Sequence, residues 1–138
     1  MRSAYYQLPL AEGDRHITAF EADGRLWEFT RLPFGVTNGV PTFCRVMNTI
    51  LSGLPGVVAY FDDIVVHGRT QGEHDENLRQ FMARAREVDL TLNSNKCIFS
   101  VNELSFLGHT FKDGLISPDA ERLAPLMNYP VPQNVKEL

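Results

Sequence analysis

The chain has 138 residues, 43% of them hydrophobic and 22% charged, so it is long enough to form one domain, or part of one, with a buried core. Its 13 basic and 17 acidic residues give a net charge of −4, which excludes a basic-arm or histone-like protein that is held on nucleic acid by charge alone. The longest apolar run, residues 57–61, is far too short to cross a membrane. The two cysteines, Cys44 and Cys97, lie among apolar neighbours without CxxC spacing and are expected to be buried, reduced thiols.

The first third of the chain predicts a β-hairpin followed by an amphipathic helix. Residues 16–20 and 26–30 are rich in β-forming side chains, and the Asp23-Gly24 pair between them is typical of a hairpin turn. A Leu-Pro-Phe-Gly segment at residues 32–35 then breaks regular structure. After it, apolar residues recur at helical spacing and predict one buried helix face. They are Val40, Phe43, Cys44, Met47, Ile50 and Leu51.

The segment Tyr60-Phe61-Asp62-Asp63 carries the strongest chemical signal in the chain. Apolar β-formers on both sides predict two short buried strands, with the acids where the chain turns back. A solvated hairpin tip is the simpler explanation, because Asp is common in turns. However, adjacent carboxylates repel each other, and no Lys or Arg lies between Gly56 and Gly68 to neutralise them. The pattern therefore points to a divalent metal, and the preference of hard cations for oxygen ligands favours Mg²⁺.

The remainder of the chain predicts a surface helix and then short strands. Apolar side chains on one face of a charged segment predict a helix that lies on the outside of a sheet. They are Leu78, Phe81, Met82, Ala85 and Val88. Residues 90–92, 98–101 and 104–111 have the composition of strands, the last interrupted by Gly108. This mixture of strands, helices and hairpins predicts an α+β fold.

Two helix starts are predicted near the end of the chain. Ser117-Pro118-Asp119 has Ser as the expected cap and Pro in the first turn. Asn134 is a plausible cap for a second helix, but the four residues after it are too few for a stable one. Since the first residues also lack a lead-in, we expect the chain to be a fragment of a longer protein.

Five segments in order resemble the reverse transcriptase domain of retroelement polyproteins, most closely the Ty3/gypsy class of LTR retrotransposons. They are residues 2–7, 32–38, 60–63, 92–97 and 106–109. The resemblance implies part of a right-hand polymerase palm, with a ferredoxin-like or RRM-like antiparallel sheet and helices on one face. Residues 1–8 and 41–114 would form palm, 9–40 a portion of the fingers, and 115–138 the start of the thumb.

The implied activity is RNA-directed DNA polymerisation, in which a deoxynucleotidyl group is transferred to a primer 3′-hydroxyl. Two metal ions serve such a transfer; we expect Mg²⁺, with Mn²⁺ as a second candidate. Asp62 and Asp63 match the family's metal-binding acids. A third family acid stands immediately before the position of Met1. We therefore expect the isolated chain to bind Mg²⁺ weakly and to lack useful polymerase activity.

The resemblance also assigns nucleotide-binding residues near the start of the chain. Tyr5 matches a bulky aromatic residue beneath the incoming sugar, where it would favour deoxynucleotides by excluding a 2′-hydroxyl. Ser3 and Ala4 match positions whose backbone amides meet triphosphate oxygens. The simpler explanation is that Tyr5 and Tyr6 are core aromatics with a polar tip. We favour the sugar role for Tyr5 and packing for Tyr6.

Further along, Phe34 and Gly35 stand where the family lines the nucleotide pocket, although an ordinary Pro-Gly loop explains them equally simply. Gly35 would allow a close backbone approach. Asn38 opens the amphipathic helix, and helix capping and template contact are equally good explanations.

Later positions are assigned to the leaving group and to the primer. Lys96 matches a lysine thought to donate a proton to departing pyrophosphate, although an exposed lysine beside a turn is the commoner situation. Tyr60, Leu107, Gly108 and His109 match template- and primer-binding positions. Gly108 would permit a sharp bend, and His109 could approach a backbone phosphate.

The partners implied are a primed RNA or DNA template, deoxynucleoside triphosphates, and the rest of the polyprotein, namely fingers, thumb, ribonuclease H and integrase. No targeting signal or membrane partner is indicated, so an intracellular, cytoplasmic location is expected, in a virus-like particle for this family. One alternative is a degenerate or domesticated retroelement fragment that acts as a non-catalytic interaction module. Another is an unrelated acidic metal-binding domain, which the other four segments disfavour.

Overall fold

The computed structural model describes Met1 and residues 3–129. Arg2, in the first matched segment, and the predicted helix start at Asn134 lie outside the described residues. The chain divides into two compact units, one from Met1 to Lys96 and one that begins at Cys97. None of the described helices combines the length and the apolar character that a membrane crossing requires.

The first unit begins with two 3₁₀ helices, Ala4–Gln7 and Glu12–Thr18, and a short hairpin of β1 (Phe20–Ala22) and β2 (Arg25–Trp27). The hairpin and its Asp-Gly turn are confirmed, with both turn residues at positive φ. The prediction of strand structure is wrong for residues 28–30 and for residues 16–19, of which residues 16–18 belong to the second 3₁₀ helix. There the Thr18 hydroxyl donates to the Arg15 carbonyl (2.7 Å) and accepts from the Phe29 amide (3.0 Å), which stabilises a helical turn instead.

Two helices and a second hairpin complete the first unit. They are α1 (Gly39–Leu51), β3 (Val57–Tyr60), β4 (Asp63–Val66) and α2 (Gln71–Glu87). Both predicted amphipathic helices are confirmed. The Thr70 hydroxyl accepts a hydrogen bond from the Glu73 amide (3.2 Å), and the Glu73 carboxylate accepts one from the Arg69 amide (2.9 Å). This reciprocal arrangement resembles a capping box and fixes where α2 begins.

The core of the first unit lies between the two helices and one face of the β3–β4 hairpin. Its buried members are Phe43, Met47, Leu51 and Phe81. Since side chains alternate across a strand, the paired residues Val57–Val66 and Ala59–Ile64 pack against this core, while the other face of the hairpin points away. Val58 is 49% exposed, so the strands are half-buried and not buried as expected.

The second unit contains a three-stranded antiparallel sheet and one helix. The elements are β5 (Glu103–Phe106), β6 (His109–Lys112), β7 (Leu115–Pro118) and α3 (Ala120–Met127). The helix starts later than predicted, because Ser117 pairs with Thr110 in the sheet and Asp119 is the cap: its Oδ1 accepts the Glu121 amide (3.2 Å). No described residue of this unit is buried, and Cys97, like Cys44 in the first unit, is only partly buried and not buried as predicted.

Two further predicted strands, residues 90–92 and 98–101, are wrong. In residues 90–92 a side chain takes the place of a neighbouring strand. The side-chain amide of Gln7 donates a hydrogen bond to the Thr91 backbone carbonyl (3.0 Å) and accepts one from the Thr91 backbone N–H (2.7 Å). The backbone N–H and C=O of Thr91 are thereby satisfied without a sheet.

Candidate active site

The twin acids stand at the tip of the β3–β4 hairpin, as predicted, but in two different positions. Tyr60 pairs with Asp63 in the antiparallel register, which leaves Phe61 and Asp62 as a two-residue turn. Asp62 therefore lies in the turn, whereas Asp63 is the first residue of β4. Both residues are exposed. The hairpin thus presents two carboxylates at its open end, while its inner face packs against the core.

The turn residue Phe61 has a backbone conformation that bulky residues rarely adopt, with φ of 51°. Its ring contacts the ring of Tyr60 at a centroid distance of 4.4 Å, and the two side chains are 41% and 47% exposed. Such backbone strain persists where the surrounding structure holds it, and it is frequent at functional sites. Two exposed aromatic rings therefore lie beside the acids, including Tyr60, which was matched to a template- or primer-binding position.

The base of the same hairpin is fixed by polar contacts. The His67 amide donates to the Gly56 carbonyl (2.8 Å), and the Nδ2 of Asn77 donates to the His67 carbonyl (2.8 Å). Asn77 belongs to α2 and is 3% exposed. A Cβ on Gly56 would collide with both the Asn77 amide and the His67 carbonyl oxygen. The hairpin is thus held to α2 by a partly buried hydrogen bond, and the space beside it has no room for a larger residue at Gly56.

Within the described residues, no cationic side chain forms an ion pair with Asp62 or Asp63. The backbone nitrogen of Met1 donates to the Asp62 carbonyl oxygen at 3.1 Å. The first segment of the chain therefore lies alongside the acidic turn. This contact brings the segment that carries Tyr5 to the same end of the hairpin as the acids.

The donor set fits Mg²⁺ in part. Mg²⁺ in phosphoryl-transfer sites is usually held by one or two carboxylates together with water and substrate phosphates, and Asp62 and Asp63 offer two exposed carboxylates without a competing described cation. No group of three or more His, Cys, Asp or Glu side chains in the described ranges is placed to hold a metal ion. The described residues therefore offer the two carboxylates without a complete protein cage.

Tyr5 and Phe34, both predicted to bind nucleotide, come together in an aromatic cluster. Their rings meet edge to face at 5.1 Å, and Tyr5 also contacts Phe43 of the buried core at 5.2 Å. The ring of Tyr6 meets Phe34 from another side at 5.5 Å. Phe34 is 65% exposed and Tyr6 41% exposed, so Tyr6 packs at the surface and not in the core. Tyr5 is thus held in place by the core, with the exposed ring of Phe34 against it.

The neighbouring backbone has the conformations expected of close-approach sites. Ser3 is left-handed, with φ of 47° and ψ of 53°, and Ala4 begins the first 3₁₀ helix. Gly35 has φ of 86°, which favours glycine even though a Cβ would meet nothing there. A left-handed residue followed by a helical turn is the kind of backbone that forms anion-binding concavities.

Asn38 and Lys96 are both exposed. Asn38 is the N-cap residue of α1, but its side chain makes no capping hydrogen bond. Lys96 ends a short 3₁₀ turn, Ser94–Lys96, and its backbone amide donates to the Asn93 carbonyl at 2.9 Å. No ion pair joins Lys96 to either acid in the part of the chain that the structure describes.

The segment Leu107-Gly108-His109 forms the β5–β6 turn in the second unit. Phe106 pairs with His109, and Leu107 and Gly108 have φ of 53° and 79°, the signature of a type I′ turn. The bend predicted at Gly108 is confirmed. Leu107 is 47% exposed, and the Nδ1 of His109 lies 3.2 Å from the Leu107 carbonyl oxygen.

Sequence reasoning missed two residues around these sites. Asn77 lies on a charged helix and has the polarity of a surface residue, although it is buried beneath the hairpin. The side chain of Arg122 extends across Gly108, and no sequence pattern signals a contact between residues from different elements.

The chain belongs to the reverse transcriptase (RNA-dependent DNA polymerase) family, whose model matches residues 1–111. The Retrovirus-related Pol polyprotein from transposon 412 of Drosophila melanogaster is 37% identical over 97% of the chain. The Transposon Tf2-3 polyprotein of Schizosaccharomyces pombe is 28% identical over the whole chain. Both relatives are of the Ty3/gypsy type, which confirms the class inferred from the motifs. The chain spans 11% and 10% of their respective lengths.

Solved structures support the same fold. A foamy viral protease–reverse transcriptase in complex with double-stranded DNA matches with a TM-score of 0.85 and 26% identity, over 99% of this chain and 24% of that one. A second structure of the foamy viral protein with double-stranded DNA has a TM-score of 0.84. The fold class inferred from the sequence, part of a polymerase domain with helices and antiparallel sheets, is therefore confirmed.

Proposed function

We propose that this chain is the nucleotide-adding core of an RNA-directed DNA polymerase, which extends a primer 3′-hydroxyl on an RNA or DNA template. The observation that carries the proposal is the exposed pair Asp62 and Asp63 on an anchored hairpin, in a chain of the reverse transcriptase family. Carboxylates in such reactions serve by holding cations and do not touch the negatively charged substrate directly.

Asp62 and Asp63 are the residues that would hold divalent metal. Divalent ions supply, in this class of transfer, the charge that activates an attacking oxygen and stabilises a leaving one. A third family acid would precede Met1, and the Met1 nitrogen already lies beside the Asp62 carbonyl, so a preceding residue would be close to the acidic turn. For this reason we expect the 138-residue chain alone to bind Mg²⁺ weakly and to extend primers poorly.

The incoming deoxynucleoside triphosphate is assigned to the aromatic cluster. Tyr5 is held between Phe34 and core residue Phe43, and a fixed ring is suited to excluding a ribose 2′-hydroxyl. The left-handed backbone at Ser3 and the start of the helix at Ala4 would meet triphosphate oxygens through their amides. Phe34 and Gly35 would line the nucleobase side of the pocket.

The nucleic acid is assigned to both units. Tyr60 and Asn38 in the first unit, and Leu107, Gly108 and His109 in the second, would contact template or primer. The foamy viral relative in complex with double-stranded DNA supports a duplex as the ligand. Lys96 would donate a proton to departing pyrophosphate. The remaining polymerase elements, ribonuclease H and integrase would come from the polyprotein.

A test of the metal assignment uses Mn²⁺ as a paramagnetic substitute in NMR spectra of the 138-residue chain. We expect Mn²⁺ to broaden the backbone amide signals of residues 60–64 first, and Asp62→Asn to abolish that broadening. The matched control is Asp113→Asn, because Asp113, like Asp62, lies in a two-residue hairpin connection, here between β6 and β7. In a longer polyprotein segment that includes upstream residues, Asp62→Asn should lower primer extension by orders of magnitude.

Two outcomes would count against the polymerase assignment. One is Mn²⁺ broadening that is unchanged by Asp62→Asn or equally sensitive to Asp113→Asn, because the acids would then be an ordinary turn. The other is full primer extension by Asp62→Asn in the longer segment. Absence of extension in every longer segment would favour the alternative of a domesticated, non-catalytic module.

A further inference from the structure

The β5–β6 turn carries a cation that no motif assigned. If Gly108 had a Cβ, that atom would lie 2.9 Å from the Nη1, 3.1 Å from the Cδ and 3.2 Å from the Cζ of Arg122. The arginine side chain therefore extends directly across the glycine, from α3 to the turn. Two features favour glycine at position 108. Its φ of 79° is a conformation that glycine adopts readily, and the absence of a side chain leaves room for the guanidinium of Arg122.

The position of Arg122 is fixed by backbone contacts at both ends of this link. The Asp119 amide donates to the Gly108 carbonyl (2.9 Å), which attaches the start of α3 to the turn. The Arg122 amide in turn donates to the Asp119 carbonyl (3.1 Å). The arginine thus leaves a helix whose cap residue, Asp119, is hydrogen-bonded to the turn that the arginine side chain crosses.

The charge of Arg122 is not neutralised among the described residues. Its guanidinium has no ion pair there, and the residue is exposed. The Asp119 carboxylate is used as the helix cap, where it accepts the Glu121 amide. Lys112, in the sheet that carries the turn, is by contrast neutralised by an ion pair with Glu103 at 2.8 Å. Among the described residues, Arg122 is thus a cation without an ion pair beside the turn, and the imidazole of His109 belongs to the adjoining strand.

We infer that Arg122 binds a backbone phosphate of the primer–template duplex, as an additional contact of the β5–β6 turn. A planar guanidinium with several donors suits phosphate oxygens, and one that is already held in place loses less freedom when it binds. The inference rests on the proposed function, since it takes the ligand to be a nucleic-acid strand. It adds Arg122, from α3, to the proposed contact of Leu107, Gly108 and His109 in the β5–β6 hairpin with nucleic acid.

The test measures binding of a fluorescein-labelled primer–template duplex to the 138-residue chain by anisotropy, over a series of salt concentrations. For Arg122→Gln we expect an affinity loss on the order of fivefold and a salt slope lower by about one, since one phosphate contact is removed. The loss should be the same for two unrelated duplex sequences, because phosphate contacts carry no base information. Lys112→Gln is the charge-matched control, and it should leave the slope unchanged.

A glycine pair separates the arginine contact from the turn itself. Asn tolerates positive φ, so Gly108→Asn keeps the turn while its side chain displaces Arg122. We expect the same loss as in Arg122→Gln, and no further loss in the double variant. Gly114→Asn is the control, because Gly114 has φ of 74° in the next hairpin and a Cβ there would meet nothing within 4 Å. It should bind like the wild type.

The outcomes separate the two proposals. If the wild-type chain binds duplex and Arg122→Gln binds equally well, Arg122 has no phosphate role and the polymerase assignment stands. An equal loss in Lys112→Gln or Gly114→Asn would also overturn the inference, because it would reflect general charge or turn strain. If the wild-type chain does not bind duplex at all, both the inference and the duplex assignment on which it rests fail.

Discussion

Each unit contains a hairpin with a two-residue turn, but the two hairpins are held in place by different interactions. In the first unit, two helices cover one face of the acidic hairpin, and a buried asparagine fixes its base. In the second, the sheet leaves Leu115 and Ile116 73% and 65% exposed, and no described residue is buried. The acids are therefore positioned by packing, whereas the β5–β6 turn is positioned by its own backbone geometry and the contact from α3. The same supersecondary motif is thus held in place by different interactions in the two units.

The largest expected effect tests whether packing positions the acids. Phe43 is 2% exposed, so Phe43→Ala should lower the free energy of unfolding by about 3–5 kcal/mol through lost burial and a cavity. The matched change in the second unit is Phe111→Ala. Phe111 is 38% exposed, and its loss should cost less than about 1.5 kcal/mol. Urea denaturation followed by circular dichroism measures both values. Equal losses of stability would show that packing supports the two units to the same degree, which would contradict the difference between them.

A pair of glycines tests the contact at the base of the acidic hairpin. Gly56 and Gly53 both have positive φ, but a Cβ would collide with the Asn77 amide and the His67 carbonyl only at Gly56. Gly56→Ala should cost about 2–5 kcal/mol, the sum of the left-handed penalty and overpacking. Gly53→Ala should cost only the left-handed penalty of about 1–2 kcal/mol. If chemical denaturation gives both variants the same stability, the hairpin is not fixed by crowding at Gly56.

The smallest effect concerns charge on the surface of α2. Hydrogen bonds from Arg79 (2.6 and 2.8 Å), and next from Gln80, lower the pKa of Glu76 to about 2 from an ordinary value of 4.5. Because the folded-state pKa is the lower one, this contribution to stability is present above pH 4.5 and is lost as the pH falls towards 2. The contribution is small, because the ion pair lies on the surface, where solvent screens it.

The measurement compares urea midpoints of the wild type and Glu76→Gln across this acidic range. The difference should be constant above pH 4.5 and shrink below it. A difference that persists unchanged to pH 2 would show that Glu76 acts through packing and not through charge. In the second unit the pKa shift and its effect on stability have the opposite pH dependence, because the hydrogen bond to Glu103 raises the pKa of Lys112. That contribution is present below the ordinary lysine pKa and is lost as the pH rises through the folded-state pKa.

The helices and the hairpins were predictable because their signals are local. In α1, the spacing of Phe43, Met47 and Leu51 follows the helical repeat, and all three are buried. The turns at Asp23-Gly24 and at Gly108 were predictable because positive φ selects a few residue types. The position of the twin acids followed from the same logic, since two apolar strands flank them.

Features that depend on distant partners were not predictable. The composition of residues 90–92 favours a strand, but their polar partner is the side chain of Gln7, more than eighty positions away. Asn77 has the polarity of a surface residue, and its burial depends on the carbonyl of His67. The contact between Tyr5 and Phe34 required the loop to fold over the first segment, although each residue was matched to the nucleotide site separately.

The double hydrogen bond between Gln7 and Thr91 has a mechanical consequence. A primary amide that donates and accepts at once prevents either segment from sliding along the other, because any displacement breaks both bonds together. The segment that carries Tyr5 and the segment that leads to Lys96 are thereby tied together at Thr91. A displacement of either segment would therefore strain both hydrogen bonds to the Gln7 side chain.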